Sequence, residues 1–166
     1  MEHAIRNSEN ALKRRLANRA SQKAIFKRLT EEFHLCKVPK RIEAYDNSHL
    51  FGKNAVGAMI VFSEEGFNKK GYRKFNINQD EVKSSDDYGM MSHILNRRFS
   101  KEAINDKKKH NNLPEVILID GGKGHYDLTK KILKNKNLEN IKVLSIYKGE
   151  GRKSTLDQII YNNQNW

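Results

Sequence analysis

Two aspartates stand where they could act as a metal-binding pair. Asp46 lies in the alternating segment Glu43–His49, and Asp120 ends the apolar run Val116–Ile119, just before two glycines. If these segments are neighbouring parallel strands, both carboxylates lie at one end of a sheet and repel each other unless a cation lies between them. Mg²⁺ and Mn²⁺ suit such oxygen ligands and can activate water to hydrolyse a phosphodiester. The alternative is that Asp120 is an ordinary turn residue after a strand.

The glycine-rich turn after Asp120 could hold a phosphate. Its sequence, Gly121-Gly122-Lys123-Gly124, does not match the Walker pattern of nucleoside triphosphatases, because Leu118 stands at the first glycine and Gly124 at the Ser/Thr position. The glycines permit close approach of the backbone, and a helix N-terminus attracts anions. We therefore predict that Lys123 contacts a DNA phosphate.

Hydrophobic periodicity predicts the elements that must position these residues. Residues 1–36 repeat apolar side chains every three to four positions, with many Arg and Lys between them, which predicts a basic helix ending before Pro39. This helix could dock through its apolar stripe or be a solvated extension. The other predicted elements are strands at Arg41–His49, Ala55–Ser63, Gly71–Asn78, Val116–Ile119 and Ile141–Tyr147, and helices at Asp86–Phe99 and after Gly124.

The order of these elements predicts a mixed α/β fold. Three hairpin-linked strands are followed by two right-handed crossovers, giving β-β-β-α-β-α-β and a mixed five-stranded sheet flanked by helices. This order is that of the ribonuclease H-like fold, in which the first and fourth strands are parallel neighbours. The predicted domains are a basic helical extension over residues 1–38 and a ribonuclease H-like domain over residues 39–166.

Composition narrows the class of partner. The chain has 166 residues, with 32 Lys and Arg against 20 Asp and Glu, so its net charge is +12. Such an excess favours a polyanion, either a nucleic acid or an anionic membrane, although it could also reflect a general abundance of Lys and Asn. No run of about 18 apolar residues is present, so no transmembrane helix is predicted. The absence of a signal peptide and the single cysteine, Cys36, predict a cytoplasmic protein.

Several motifs together resemble one family. They occur in order and at the expected intervals, and the match extends from about Glu2 to Lys153. The motifs are Arg41–His49, Tyr72–Ile77, Asp86-Asp87-Tyr88, Arg97-Arg98-Phe99 and Leu118–Gly124. The chain is similar to the endonuclease domain in the C-terminal half of the UvrC family, the incision subunit of the bacterial UvrABC excinuclease.

The resemblance implies a metal-dependent nuclease for nucleotide excision repair. The family makes the 5′ incision beside a DNA lesion with an Asp-Asp-His triad, to which Asp46 and Asp120 correspond. His49 matches a family histidine outside the triad, and we predict that it orders the metal site or contacts a phosphate. The helix that carries the triad histidine and the UvrB-docking segment have no counterpart in this sequence. The implied partners are damaged double-stranded DNA and the UvrB–DNA complex, and the implied cofactor is Mg²⁺ or Mn²⁺.

The missing histidine helix leaves three interpretations open. The chain is a weak or inactive nuclease fragment, a DNA-binding remnant without catalysis, or one piece of a two-fragment enzyme. His125 could replace the missing histidine, but a surface role is the simpler interpretation, and His93 is interpreted as structural or solvent-facing. Arg97 and Arg98 are predicted to bind the DNA backbone; the alternative is that these cations stabilise a helix C-terminus. The run Lys107–Lys109 is interpreted as solvated charge.

Overall fold

The computed structural model describes residues 2–50, 54–77, 86–105, 113–148 and 157–166, without the side chains of 2–16, 48–50 and 54–55. The helices are α1 (Glu2–Glu32), α2 (Asp87–Arg98), α3 (Lys101–Asn105) and α4 (Lys123–Asn135). The strands are β1 (Ile42–Leu50), β2 (Asn54–Ser63), β3 (Gly66–Phe67), β4 (Arg73–Asn76), β5 (Val116–Asp120), β6 (Lys142–Tyr147), β7 (Gln158–Tyr161) and β8 (Gln164–Asn165).

The sheet is mixed, with its parallel strands in the centre. Across the described residues it has eight strands in the order β3-β2-β1-β5-β6-β7-β8, and β4 also pairs with β2. Strand β1 runs antiparallel to β2 and parallel to β5, and β5 runs parallel to β6. The predicted meander and the predicted parallel pairing of the first strand with the strand ending at Asp120 are therefore confirmed.

Strand β5 is apolar on both faces because helices cover both. On one face Ile117 and Ile119 pack in a cluster with side chains of α2 and α4, such as Ile94 and Leu133. On the other face Val116 belongs to a second cluster, with residues of α1 and β7. We call these the α2/α4 face and the α1 face. Alternation along a strand assigns successive residues to opposite faces.

Helix α1 docks on the sheet near its C-terminal end, through Phe26 and through Phe33, the residue that follows the helix. Phe26 and Phe33 are buried in the second cluster, and Phe33 packs edge-on against Tyr161 and Trp166 at ring separations of 5.3 and 5.8 Å. The helix ends at Glu32, four residues before the predicted end, because His34 takes a positive φ of 47° and the Leu35 N–H bonds to the Thr30 carbonyl. This is a Schellman-type stop, which terminates the helix before Pro39 can.

The sheet has more strands than the five predicted. The short strand β3 follows the turn at Glu64-Glu65, and the β7–β8 hairpin lies in the segment after Lys148, where no element was predicted. Asn162 and Asn163 connect that hairpin with φ of 50° and 63°, as a type I′ turn requires. The Lys107–Lys109 run and the loop at 79–85 lie outside the described residues.

Candidate functional site

Strand pairing brings Asp46 and Asp120 to adjacent positions. The parallel register joins Ile42 to Val116 and continues to Tyr45 and Ile119. Asp46 and Asp120 are the next residue on each strand, so their backbones are neighbours, Asp46 in the middle of β1 and Asp120 at the carboxyl end of β5. Ligand sites of open α/β sheets form at the carboxyl ends of parallel strands, where Asp120 lies.

Both aspartates face an open cavity on the α1 face of the sheet. Asp46 alternates with Ile42 and Ala44, and Asp120 alternates with Val116 and Leu118, so both side chains share the face on which α1 docks further down. The cavity has a volume of about 430 Å³. Its floor is aliphatic and its rim charged; the side chains are Ala44, Ala58, Ile60, Leu118 and Ile146 on the floor and Asp46, Asp120, Lys148 and Asp157 at the rim.

The electrostatics of the pair favour a bound cation. Partial burial, and then the negative charge of Asp120, raise the pKa of Asp46, while the backbone N–H of Asn47 opposes the change. A positive ion between two neighbouring carboxylates offsets the repulsion between them. Within the described residues, no three His, Cys, Asp or Glu side chains form a metal-binding group. The two carboxylates offer part of the oxygen donor set that a hard divalent ion requires, and water or a phosphate oxygen would supply the rest.

A buried ionic network fixes strand β1 immediately before Asp46. Glu43 has no exposed surface and accepts hydrogen bonds from Arg98 at 2.7 and 3.0 Å, from Arg41 at 2.7 and 2.8 Å and from the Tyr45 hydroxyl at 2.6 Å. Because Arg98 belongs to α2, the network joins the helix to the strand that carries Asp46. Sequence reasoning missed this arrangement, since Glu43 and Arg98 are 55 positions apart.

The network changes the interpretation of the two consecutive arginines. Arg98 is 3% exposed, and its guanidinium is committed to Glu43, so its position argues against the predicted contact with DNA. Arg97 is exposed, donates to the Asn76 carbonyl at 3.1 Å and lies over the Phe75 ring at 5.8 Å. It is located on the α2/α4 face, away from the residues that line the cavity. His93 lies half-buried on the same helix.

The glycine-rich turn places its side chains beside the cavity, not in it. Lys123, in the first turn of α4, is paired with Asp127 at 3.2 Å, and neither residue lines the cavity. His125 stacks on Tyr88 with ring centres 4.4 Å apart, and it does not line the cavity either. This stacking directs His125 towards α2 and argues against a role as the third metal ligand. His49 pairs with Ala55 through β1 and β2, and its side chain is outside the described part of the structure.

Two rim residues were not predicted from the sequence. Lys148 follows Ile146 by two positions, so the alternation of β6 could have placed it on the cavity side. Asp157 immediately precedes β7, and because that strand was not predicted, no sequence signal pointed to it.

Comparison with known proteins identifies the family to which the chain belongs. Residues 30–165 match the family model described as UvrC RNAse H endonuclease domain. UvrABC system protein C of Zymomonas mobilis is 43% identical over 153 residues, which are 92% of this chain and 23% of that protein. The Caulobacter vibrioides protein of the same name is 39% identical over 165 residues, 99% of this chain and 26% of that one. The chain therefore belongs to the UvrC RNase H endonuclease domain family.

The chain spans about a quarter of the length of these curated relatives. A structure of Ciona intestinalis endonuclease V in complex with inosine-containing DNA superposes with a TM-score of 0.48 and 16% identity, covering 82% of this chain and 62% of the other. Among the described helices, none is long and apolar enough to cross a membrane.

Proposed function

We propose that this chain is the nuclease module of a nucleotide excision repair protein and hydrolyses a phosphodiester bond of damaged duplex DNA. The observation that carries the proposal is the register that sets Asp46 beside Asp120 on an open face of the sheet, in a chain of an endonuclease family. The net charge of +12 suits a DNA substrate.

In this proposal Asp46 and Asp120 hold a divalent ion, Mg²⁺ or Mn²⁺. When bound, the ion activates water and stabilises the developing charge on phosphate oxygens. The aspartates fix the position of the ion, and the Glu43 network holds β1 so that Asp46 stays opposite Asp120. Protons compete with a metal for carboxylates, so metal affinity should increase as the pH rises through the raised pKa of Asp46.

The contacts with DNA and with other subunits form the second part of the proposal. Arg97, Lys123 and His49 are retained as contacts with the DNA backbone, and Arg98 is left out because it is buried. UvrB, bound to DNA, is the proposed protein partner, since the relatives are components of a UvrABC system. Residues 1–38 are proposed as a basic extension, anchored through Phe26 and Phe33.

The test separates metal binding from cleavage. We expect Mn²⁺, titrated by calorimetry, to bind the wild-type chain and to bind Asp46→Asn and Asp120→Asn at least 10-fold more weakly. Asp127→Asn is the matched control, because Asp127 is a carboxylate on α4 outside the cavity and should leave binding unchanged. Equal Mn²⁺ affinity in all four proteins would refute the metal site.

Nicking of a lesion-containing duplex is measured on the same proteins. Metal-dependent nicking that is lost in both cavity variants and kept in Asp127→Asn supports an active nuclease. Metal binding without nicking supports a module that needs a second polypeptide. An adjacent reading frame that encodes the family's histidine helix would then be added as a second fragment, and recovered nicking would identify a two-piece enzyme.

A further inference from the structure

The cavity that contains the two aspartates is also lined by a lysine side chain. Among the residues that the structure describes, Lys148 is the one basic residue that lines this cavity, and its side chain is exposed. It follows the last residue of β6 directly. We propose that Lys148 contacts a non-bridging oxygen of the DNA phosphate that the site binds, an inference that rests on the nuclease function proposed above.

Strand pairing determines where Lys148 lies. Asp120 pairs with Ile146 across the parallel β5–β6 ladder, and the Gly121 N–H continues the ladder by donating to the Ile146 carbonyl at 2.8 Å. The Ser145 hydroxyl donates to the Gly121 carbonyl at 2.6 Å. These bonds fix the end of β6 to the turn that follows Asp120. Lys148 is two residues beyond Ile146 and therefore extends from the same face as Asp120.

The second neighbour of Lys148 is an acidic residue. Strand β7 runs antiparallel to β6, and the register joins Ser145 to Ile160 and Tyr147 to Gln158. Extending this register by one residue sets Lys148 opposite Asp157, and both line the cavity rim. Opposite charges at cross-strand positions attract each other. Asp157 therefore adds a negative charge near Lys148 at the rim of the cavity.

The charge balance of the cavity gives this lysine its role. Its rim carries three carboxylates, Asp46, Asp120 and Asp157, and the proposed substrate is itself an anion. A phosphodiester entering this site meets repulsion from all three unless cations offset it. A divalent ion on Asp46 and Asp120 would offset part of the repulsion, and Lys148 supplies a positive charge on the side of Asp120 that is away from Asp46. A lysine ammonium is a compact point charge that suits phosphate oxygens.

Binding of duplex DNA to the full 166-residue chain tests this role without requiring turnover. Affinity is measured by fluorescence anisotropy at fixed ionic strength, once with Ca²⁺ and once with EDTA. We expect Lys148→Met to weaken binding about 10- to 100-fold with Ca²⁺, as expected for loss of a hydrogen bond between charged groups. It should also lower the salt dependence of binding by about one phosphate contact. Lys148→Arg keeps the charge and should retain most of the affinity.

Lys134→Met is the matched control. Lys134 is exposed on α4 and does not line the cavity, so this variant removes the same charge from the chain without touching the site. If Lys148→Met binds DNA as well as Lys134→Met, or if Lys148→Arg binds as weakly as Lys148→Met, the inference is overturned. Mn²⁺ affinity of Lys148→Met should equal or exceed that of the wild type, since a neighbouring positive charge has been removed; weaker Mn²⁺ binding would also overturn it.

Failure of the inference and failure of the proposed function have different signatures. If the gain in DNA affinity on adding Ca²⁺ persists in Asp46→Asn and Asp120→Asn, the metal site itself is refuted. If that gain depends on both aspartates while Lys148→Met matches Lys134→Met, only the role of Lys148 is refuted.

Discussion

Replacing Arg98 with methionine should destabilise the chain far more than the same change at Arg97. Arg98 is 3% exposed and donates three hydrogen bonds to Glu43, which has no exposed surface. Removing Arg98 leaves a buried carboxylate whose remaining partners, among the residues that the structure describes, are Arg41 and Tyr45. Breaking a buried ion pair in this way costs about 3–5 kcal/mol, a large share of the roughly 5–15 kcal/mol that stabilises a typical domain.

Urea denaturation followed by circular dichroism measures this cost. For a chain of this length, a loss of about 3–5 kcal/mol corresponds to a decrease in Tm of roughly 6–20 °C. Arg97→Met is the matched control: Arg97 is exposed, and a surface change of this kind alters stability by about 0.5 kcal/mol or less. If the free energy of unfolding of Arg98→Met lies within about 1 kcal/mol of that of Arg97→Met, the buried ion pair does not stabilise the chain as argued.

A double variant identifies the cause of the loss. In Glu43→Gln combined with Arg98→Met, the buried negative charge that has lost its Arg98 partner is gone, so the double variant should be more stable than Arg98→Met alone. If the destabilisation of the double variant equals the sum of those of Glu43→Gln and Arg98→Met, lost packing of the Arg98 side chain is responsible, and the ionic network is not.

Three further predictions concern the strands around the site. Since the pKa of Asp46 is raised in the folded chain, the metal-free protein loses stability as the pH rises from below the ordinary Asp pKa through the raised pKa of Asp46. In EDTA at neutral pH, Asp46→Asn should therefore be more stable than the wild type, by less than about 1 kcal/mol after solvent screening. Near about pH 3 the two proteins should be equally stable, and urea melts at both pH values measure the difference. Gly57→Ala would press a methyl group on the buried Ile94 side chain and should cost about 1–3 kcal/mol; an unchanged urea midpoint would show that Ile94 moves aside freely. Asn163→Gly places glycine at a φ of 63° in the β7–β8 turn and should raise the melting temperature, corresponding to a few tenths to about 1 kcal/mol, whereas a decrease would contradict the type I′ assignment.

The central sheet could be predicted from the sequence because the apolar patterns that define its strands are local. The apolar run before Asp120 predicted a buried strand, which the burial of Val116, Ile117 and Ile119 confirms. The element order then placed that strand beside the one carrying Asp46, which the parallel register confirms. The predicted acidic start of the first crossover helix is also confirmed, since the Asp86 side chain accepts a hydrogen bond from the Gly89 N–H at 2.8 Å.

The features that the sequence did not predict depend on contacts between distant residues. A basic pair at a helix end looks the same whether it faces DNA or a buried carboxylate, so Arg98 could not be distinguished from Arg97 before Glu43 was located. Strand β7 has only four residues in a polar segment, and its pairing with β6 is what brings Asp157 opposite Lys148. The asparagine pair at 162–163 was the available signal for that hairpin.

The edge-on packing of Trp166 against Phe33 gives the chain an internal optical reporter. Trp166 is the only tryptophan in the sequence, and it is 48% exposed where the β7–β8 hairpin meets α1. Its emission should therefore shift to longer wavelength when α1 separates from the sheet, even if the rest of the domain stays folded. A metal titration that changes the aspartate site but leaves this emission constant would separate local ion binding from movement of the helix on the same face.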